Sequence, residues 1–203
     1  MIGGIDEVGM GPLAGPVVSA VVVFKEKNPP IEGLRDSKKL SEGRRNYLFN
    51  EIVRACVDLG WGCASAQEID RLGMKEAWIL SIHRAMGMLD TWPTKLIADG
   101  GTKMLGRYTR LDVYLHGNVQ MEAKADDKYW QVSAASILAK VLRDKFMIEV
   151  ARDYPAYLWE RNKGYGVPAH QDAIKDHGLT PLHRKTFCTK VKKKRTRRRS
   201  RFD

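Results

Sequence analysis

Apolar residues occur along this chain as short runs and helical stripes, not as one block. Ile2–Asp6 and Pro16–Phe24 are short runs rich in β-branched residues, separated by Gly9-Met-Gly-Pro-Leu-Ala-Gly-Pro16. Two such runs around Gly/Pro punctuation predict a β-hairpin, and Asn28-Pro-Pro30 stops its second strand. Ser41 is placed to cap a helix whose apolar face is Leu48, Phe49, Ile52, Val53 and Cys56. Leu59–Ala66 reads as a third strand. Ile79, Ile82, Met86 and Leu89 form a helical stripe within Glu76–Leu89. Thr94–Ala98 reads as a short strand ending at the turn signal Asp99-Gly100-Gly101, and Val113–Ala125 contains another. Val132–Ala151 carries the strongest helical pattern. Its apolar positions include Ala134, Ile137, Leu138, Val141 and Leu142, and its polar stripe is Ser133, Ser136, Lys140, Arg143 and Asp144. Tyr154-Pro155 ends it. Beyond it Gly, Pro and His recur and helices are short. The pattern predicts an α/β fold with a mixed sheet and a small C-terminal helical lobe at about 153–189, in one domain over 1–189.

Composition adds a partner class. The chain has 203 residues, 43% of them apolar, which rules out wholesale disorder. Its formal net charge is +11, which points to a polyanion such as nucleic acid. The charge is uneven: nine of the twelve residues Lys190–Arg201 are Lys or Arg, so 190–203 carry +8 and the other 189 residues +3. No apolar period crosses that tail. It reads as disordered in isolation and as a nonspecific phosphate-binding arm, against the blander reading of a solubilising end. No apolar run approaches the roughly 18–20 residues of a membrane span, so no membrane partner is expected. Asp6 and Glu7 come too early for a signal peptide, and Cys56, Cys63 and Cys188 form no CxxC pair. The expectation is a cytoplasmic protein.

Candidate chemistry lies in carboxylates at strand ends. Asp6-Glu7 closes the first strand, Asp99 a central one, and Asp126-Asp127 follows a third. Strand ends are where sites assemble in α/β sheets. Clustered carboxylates repel unless a cation sits among them, and without a His/Cys ligand set the hard ions Mg²⁺ or Mn²⁺ fit best. Any one of these acids is ordinarily a cap, a turn former or solvated surface. Adjacent strand residues also face opposite ways, so Asp6 and Glu7 share a site only if the chain twists there; the Gly9/Gly11 pair allows an irregular exit. His83, His116, His170 and His177 show no ligand spacing and read as structural or exposed.

These residues lie in segments that resemble the type 2 ribonucleases H (ribonuclease HII). The segments are Asp6-Glu-Val-Gly-Met-Gly-Pro-Leu-Ala-Gly-Pro-Val-Val18, Leu34-Arg-Asp-Ser-Lys-Lys-Leu-Ser41, Ile97-Ala-Asp-Gly100, Asp126 with Val132-Ser-Ala-Ala-Ser-Ile-Leu-Ala-Lys-Val141, Lys163-Gly-Tyr-Gly166 and His183-Arg-Lys-Thr-Phe187. They occur in family order. The resemblance implies a ribonuclease H fold: a five-stranded mixed sheet flanked by helices, with a C-terminal helical extension. It implies a metal-dependent endonuclease acting as a monomer. Such an enzyme hydrolyses the RNA strand of RNA/DNA hybrids and incises 5′ to single ribonucleotides in duplex DNA, leaving 3′-hydroxyl and 5′-phosphate ends. Asp6, Glu7, Asp99 and Asp126 become the catalytic, metal-binding carboxylates. The count back from Val132 in the family motif selects Asp126, with Asp127 the alternative.

The resemblance also implies substrate contacts. Tyr165 would pack on the deoxyribose after the ribonucleotide. Gly9 and Gly11 would read the 2′-hydroxyl with main-chain amides. Lys38, Lys140 and Arg143, and less so Lys39, are candidate phosphate contacts. His183 lies in a matched motif without assigned chemistry. Met10 departs from the family, which usually has Arg there, and Ala125 stands where it usually has Gly. Two rival readings remain. One is a type 3 ribonuclease H, which prefers uniform hybrids but usually has an N-terminal domain for which Asp6 leaves no room. The other is a noncatalytic basic binder, which explains the tail but not the ordered carboxylates.

Overall fold

The computed structural model describes residues 1–25, 31–99 and 119–191. Strands β1 (Ile2–Val8), β2 (Val17–Phe24) and β3 (Asp58–Ala64) form an antiparallel meander. Strands β4 (Lys95–Asp99) and β5 (Val119–Glu122) extend it in parallel from the other edge of β1. The order β3-β2-β1-β4-β5 makes a five-stranded mixed sheet with β1 at its centre.

Helix α1 (Glu42–Ala55) and helix α5 (Trp130–Val150) cover one face of the sheet; α2 (Ala66–Leu72) and α3 (Met74–Met86) cover the other. Every residue of β2 is therefore buried, and its β-branched run fits a strand packed on both sides. Val17, Val21 and Val23 join the α3 side, while Val18, Ala20, Val22 and Phe24 join the α5 side. Ser19 is the polar exception. Ser81 Oγ donates to Trp78 O, so the hydrogen in its 2.7 Å contact with Ser19 comes from Ser19.

At Gly4 the N-terminal turn of α5 lies directly on β1. A Cβ there would stand 2.1 Å from the carbonyl carbon of Gln131. A short helix α4 (Ala125–Lys128) precedes α5, and past α5 the chain makes α6 (Trp159–Asn162) and α7 (Pro168–His177). This lobe closes its own apolar cluster, which also takes Ala14 from the loop after β1 and Met147 from α5.

Several expected boundaries shift. The third strand stops at Ala64, because Ser65 and Glu68 form a capping box that starts α2 at Ala66. Ser41 caps α1, but Val53 is 46% exposed: Leu48 and Ile52, one turn apart, face the sheet, and Val53 rotates away. The Asn28–Pro30 stop, the turn at 100–101, residues 113–118 and the tail from 192 lie outside the described residues.

Two histidines organise the lobe. The Trp159 indole N–H donates to His170 Nε2 at 3.0 Å, so the His170 proton sits on Nδ1 and is donated to Tyr165 O at 2.9 Å. The Thr180 N–H donates to His183 Nδ1 at 2.9 Å, leaving the His183 proton on Nε2, 3.1 Å from His170 Nε2. Protonation of either ring sets donor against donor. Burial, then the facing His170, pushes His183 down to about 4; burial also lowers His170.

The unfolded chain then takes up these protons first, so their contribution is full above pH about 6.5 and fades as pH falls toward 4. In urea titrations from pH 7 to 4, His183→Gln is expected to flatten the pH dependence of stability relative to wild type. Unchanged slopes would show that His183 does not remain neutral in the fold.

Candidate active site

The end of β1 carries two acids on opposite sides of the sheet. β1 stays paired with β2 through Val8, so no kink separates Asp6 from Glu7. Asp6 faces α5, where the Ser136 hydroxyl meets its carboxyl. Glu7 faces α3, where Trp78 meets it. The β1–β4 register pairs Ile5 with Ala98, so Asp99 comes beside Asp6 at the strand ends. Its charge acts on both β1 acids. The expected twist between the two acids is thus absent; the neighbouring strand end bridges the two faces instead.

Asp126 completes the group from α4 and is 6% exposed. The Ala125 N–H donates to Asp99 Oδ1 at 3.0 Å, tying α4 to the end of β4. Ser133 Oγ donates to Asp126 O at 2.6 Å. Asp127 points away and pairs with Lys39. Between the two acids, burial and charge coupling to Asp99 belong to Asp126.

Burial is the first cause that raises the Asp6 carboxyl to about 7, with Asp126 and Asp99 adding to it. Burial, then Asp6 and Asp99, raises Glu7 to about 8. Asp126 is also raised, first by burial and then by Asp36 and Asp99. Lys38 is the cation at this cluster. Its ammonium lies 3.8 Å from Asp126 Oδ2 and 4.0 Å from Asp36 Oδ1, and Asp6 and Asp99 also act on it. Among the described residues no three acids or His/Cys groups draw close enough to form a ligand set by themselves. Four clustered carboxylates on three elements, all-oxygen donors with one exposed lysine as counter-ion, fit Mg²⁺ or Mn²⁺.

Beside the acids the chain leaves β1 through Gly9, whose φ of +93° favours glycine and whose Cβ would lie 2.5 Å from Arg143 Nε. Met10, an expected substrate contact, is partly buried and packs against the α3-side core. Gly11 is exposed, with open space where its Cβ would be. The Leu13 and Ala14 N–H groups donate to Gly164 O at 2.8 and 3.3 Å, bracing this loop against Tyr165. Tyr165 is 40% exposed, and its ring lies 5.8 Å from the Arg143 guanidinium.

Two expected phosphate contacts are engaged with the protein itself. Arg143 is fully buried and donates to Pro16 O, Lys163 O and Ala14 O at 3.0, 3.0 and 3.1 Å. The polar stripe of α5 is buried there because the lobe and the loop after β1 cover it, so Arg143 braces main chain and faces no solvent. Lys140 pairs with Asp144 at 2.9 Å, one turn along the helix. Of the expected cations, Lys38 is the one that ion-pairs with one of the four acids, Asp126. Asp36, Ser136 and Trp78 also touch the site. Asp36 and Ser136 stood in matched motifs, yet nothing in their spacing marked their contacts; Trp78 looked like ordinary core.

Comparison with known proteins follows the same lines. The family profile described as Ribonuclease HII matches residues 3–190. A Ribonuclease HII of Clostridioides difficile is 43% identical over 190 residues, covering 94% of this chain and 71% of the relative. One from Paracoccus denitrificans is 45% identical over 187 residues, covering 92% and 84%. The crystal structure of ribonuclease H2 from Pyrococcus horikoshii superposes with a TM-score of 0.76 at 30% identity, over 94% of this chain and 96% of that one.

The raised Glu7 gives a stability test. A carboxyl whose folded pKa exceeds its unfolded value stabilises at low pH and loses that contribution as pH rises through about 8. Without divalent metal at pH 8, Glu7→Gln is expected to be more stable than wild type by roughly 1–2 kcal/mol, with the gap closing near pH 5. Wild type should also gain more in Tm from added Mn²⁺ than the variant does. Equal metal-free stability at pH 8 would refute the buried repulsion.

Proposed function

The chain belongs to the ribonuclease HII family, and from that membership we propose that it cuts duplex DNA 5′ to an embedded ribonucleotide as well as the RNA strand of RNA/DNA hybrids, leaving 3′-hydroxyl and 5′-phosphate ends. At the coarser level it is a metal-dependent ribonuclease H endonuclease, and its substrate is nucleic acid. The observation that supports the finer reading is the brace from the Leu13 and Ala14 N–H groups to Gly164 O, which ties the loop that follows Asp6 and Glu7 to the residue before Tyr165.

In this reading Asp6, Glu7, Asp99 and Asp126 hold Mg²⁺ or Mn²⁺. When bound, such ions supply Lewis-acid chemistry that activates water and neutralises charge on the departing 3′-oxygen. Ser136 and Trp78 act on the two β1 carboxyls from opposite faces and hold both down against the effect of burial. Lys38, exposed at the edge of the cluster, exchanges its carboxylate neighbours for the incoming phosphate. The outward side of the Gly9–Gly11 loop offers main-chain amides to a 2′-hydroxyl. The Tyr165 ring offers a flat face to a sugar lacking that group, which distinguishes the ribose from the deoxyribose after it.

The working unit in this reading is a cytoplasmic monomer; Cys56, Cys63 and Cys188 are free thiols, in keeping with a reducing setting. The basic segment 190–203 adds salt-sensitive, sequence-independent affinity.

Asp99→Asn is expected to keep the fold and lose cleavage by orders of magnitude. The check is a gel assay on duplex DNA with one ribonucleotide, with Mg²⁺ or Mn²⁺. Wild-type rates for Asp99→Asn would remove the acid from the mechanism, and absence of wild-type cleavage in both metals would remove the proposed substrate.

A further inference from the structure

The loop after β1 reads outward but is held from behind. Arg184 is fully buried and grips three carbonyls: Nη2 donates to Gly9 O at 2.6 Å, Nη1 to Met10 O at 3.2 Å and Nε to Gly15 O at 2.9 Å. The Phe187 ring lies 5.3 Å from its guanidinium carbon. Among the described residues Arg184 forms no ion pair, and the like charge of Arg143 acts on it from nearby. A buried cation without a carboxylate is costly, and an apolar side chain would fill the same space more cheaply. Its planar fork, however, engages three carbonyls at once, which lysine's point charge does not.

The consequence lies on the other side of each peptide. All described peptides here are trans. In a trans peptide the N–H points opposite to the C=O of the same plane. Fixing Gly9 O and Met10 O toward Arg184 therefore fixes the Met10 and Gly11 N–H groups pointing away from it. Among the described residues neither N–H has a hydrogen-bond partner. They are donors held ready on a loop whose Met10 side chain is turned inward.

We propose that Arg184 is a positioning residue for ribonucleotide recognition: by holding the Gly9 and Met10 carbonyls, it aims the Met10 and Gly11 amides at the 2′-hydroxyl. The proposal rests on the reading that this loop meets a ribonucleotide in duplex DNA.

The test measures two dissociation constants, with Ca²⁺ replacing Mg²⁺ to suppress hydrolysis. One is for a duplex with a single ribonucleotide, the other for the all-DNA duplex of the same sequence. Arg184→Lys is expected to lower the preference for the ribonucleotide by about tenfold, the scale of one well-made hydrogen bond, while all-DNA affinity changes less than about twofold. Phe187→Leu, which loosens the guanidinium without removing it, is expected to cost about two- to threefold in the same ratio and covers the case in which Arg184→Lys does not fold. Ile174→Ala, in the lobe core, lowers Tm but leaves the ratio unchanged. An unchanged ratio in the folded variants, or both affinities weakening in step, overturns the proposal. A wild type that cleaves the embedded ribonucleotide but shows no preference in binding also overturns it, whereas a wild type that fails to cleave it refutes the underlying substrate reading.

Discussion

Burial of β1 on both faces governs the rest of the structure. A central strand covered by α5 on one side and α3 on the other has nowhere to put a charge except at its end. Asp6 and Glu7 occupy that end and, through strand alternation, lie on opposite faces of the sheet. Each face then brings its own neighbour to act on them, Ser136 from α5 and Trp78 from α3. The parallel neighbour β4 ends at the same level and brings Asp99 to both. The apolar packing that makes the fold stable is thus what raises these carboxyls and leaves them a demand for a cation.

The fold was legible wherever short-range pattern coincides with tertiary environment. The β-branched runs at 2–6 and 16–24 and the stripe of α5 are of this kind, because double-sided burial selects such residues. The start of α2 was not, since Ala66 continues the apolar run of β3 and only the Ser65/Glu68 box marks the break. The acids at positions 6, 99 and 126 could be read at strand ends, but how Asp6 and Glu7 share one centre depends on the register of β1 and β4. Arg143 shows where pattern misleads. A polar stripe on a helix ordinarily faces water; here the C-terminal lobe covers it, and the guanidinium turns to main-chain carbonyls. The hydrogen-bonding of His170 and His183 depends equally on contacts distant in sequence.

In the proposed function recognition is divided differently from catalysis. The acids would act through side chains, so that changing one would change the chemistry directly. The loop after β1 would offer its backbone, while its Met10 side chain packs, partly buried, against the α3-side core. Side-chain identity at position 10 can therefore vary while the peptide planes keep their orientation, provided the residues behind them remain.

Those residues come late in the chain. The Gly9, Met10 and Gly15 carbonyls are held from positions 169 to 175 residues away, and the Pro16 and Ala14 carbonyls from 127 and 129 away. Contacts of such separation form only after the loops between them have closed. During synthesis the first strand and its glycine loop leave the ribosome long before Arg184 exists to hold them. The β1–β2 hairpin has its partners within the first 24 residues, but the loop between them is shaped only when nearly the whole described chain is present. A truncated product ending before the lobe would carry Asp6, Glu7, Asp99 and Asp126 without the Arg184 grip on the loop that follows the first two of them.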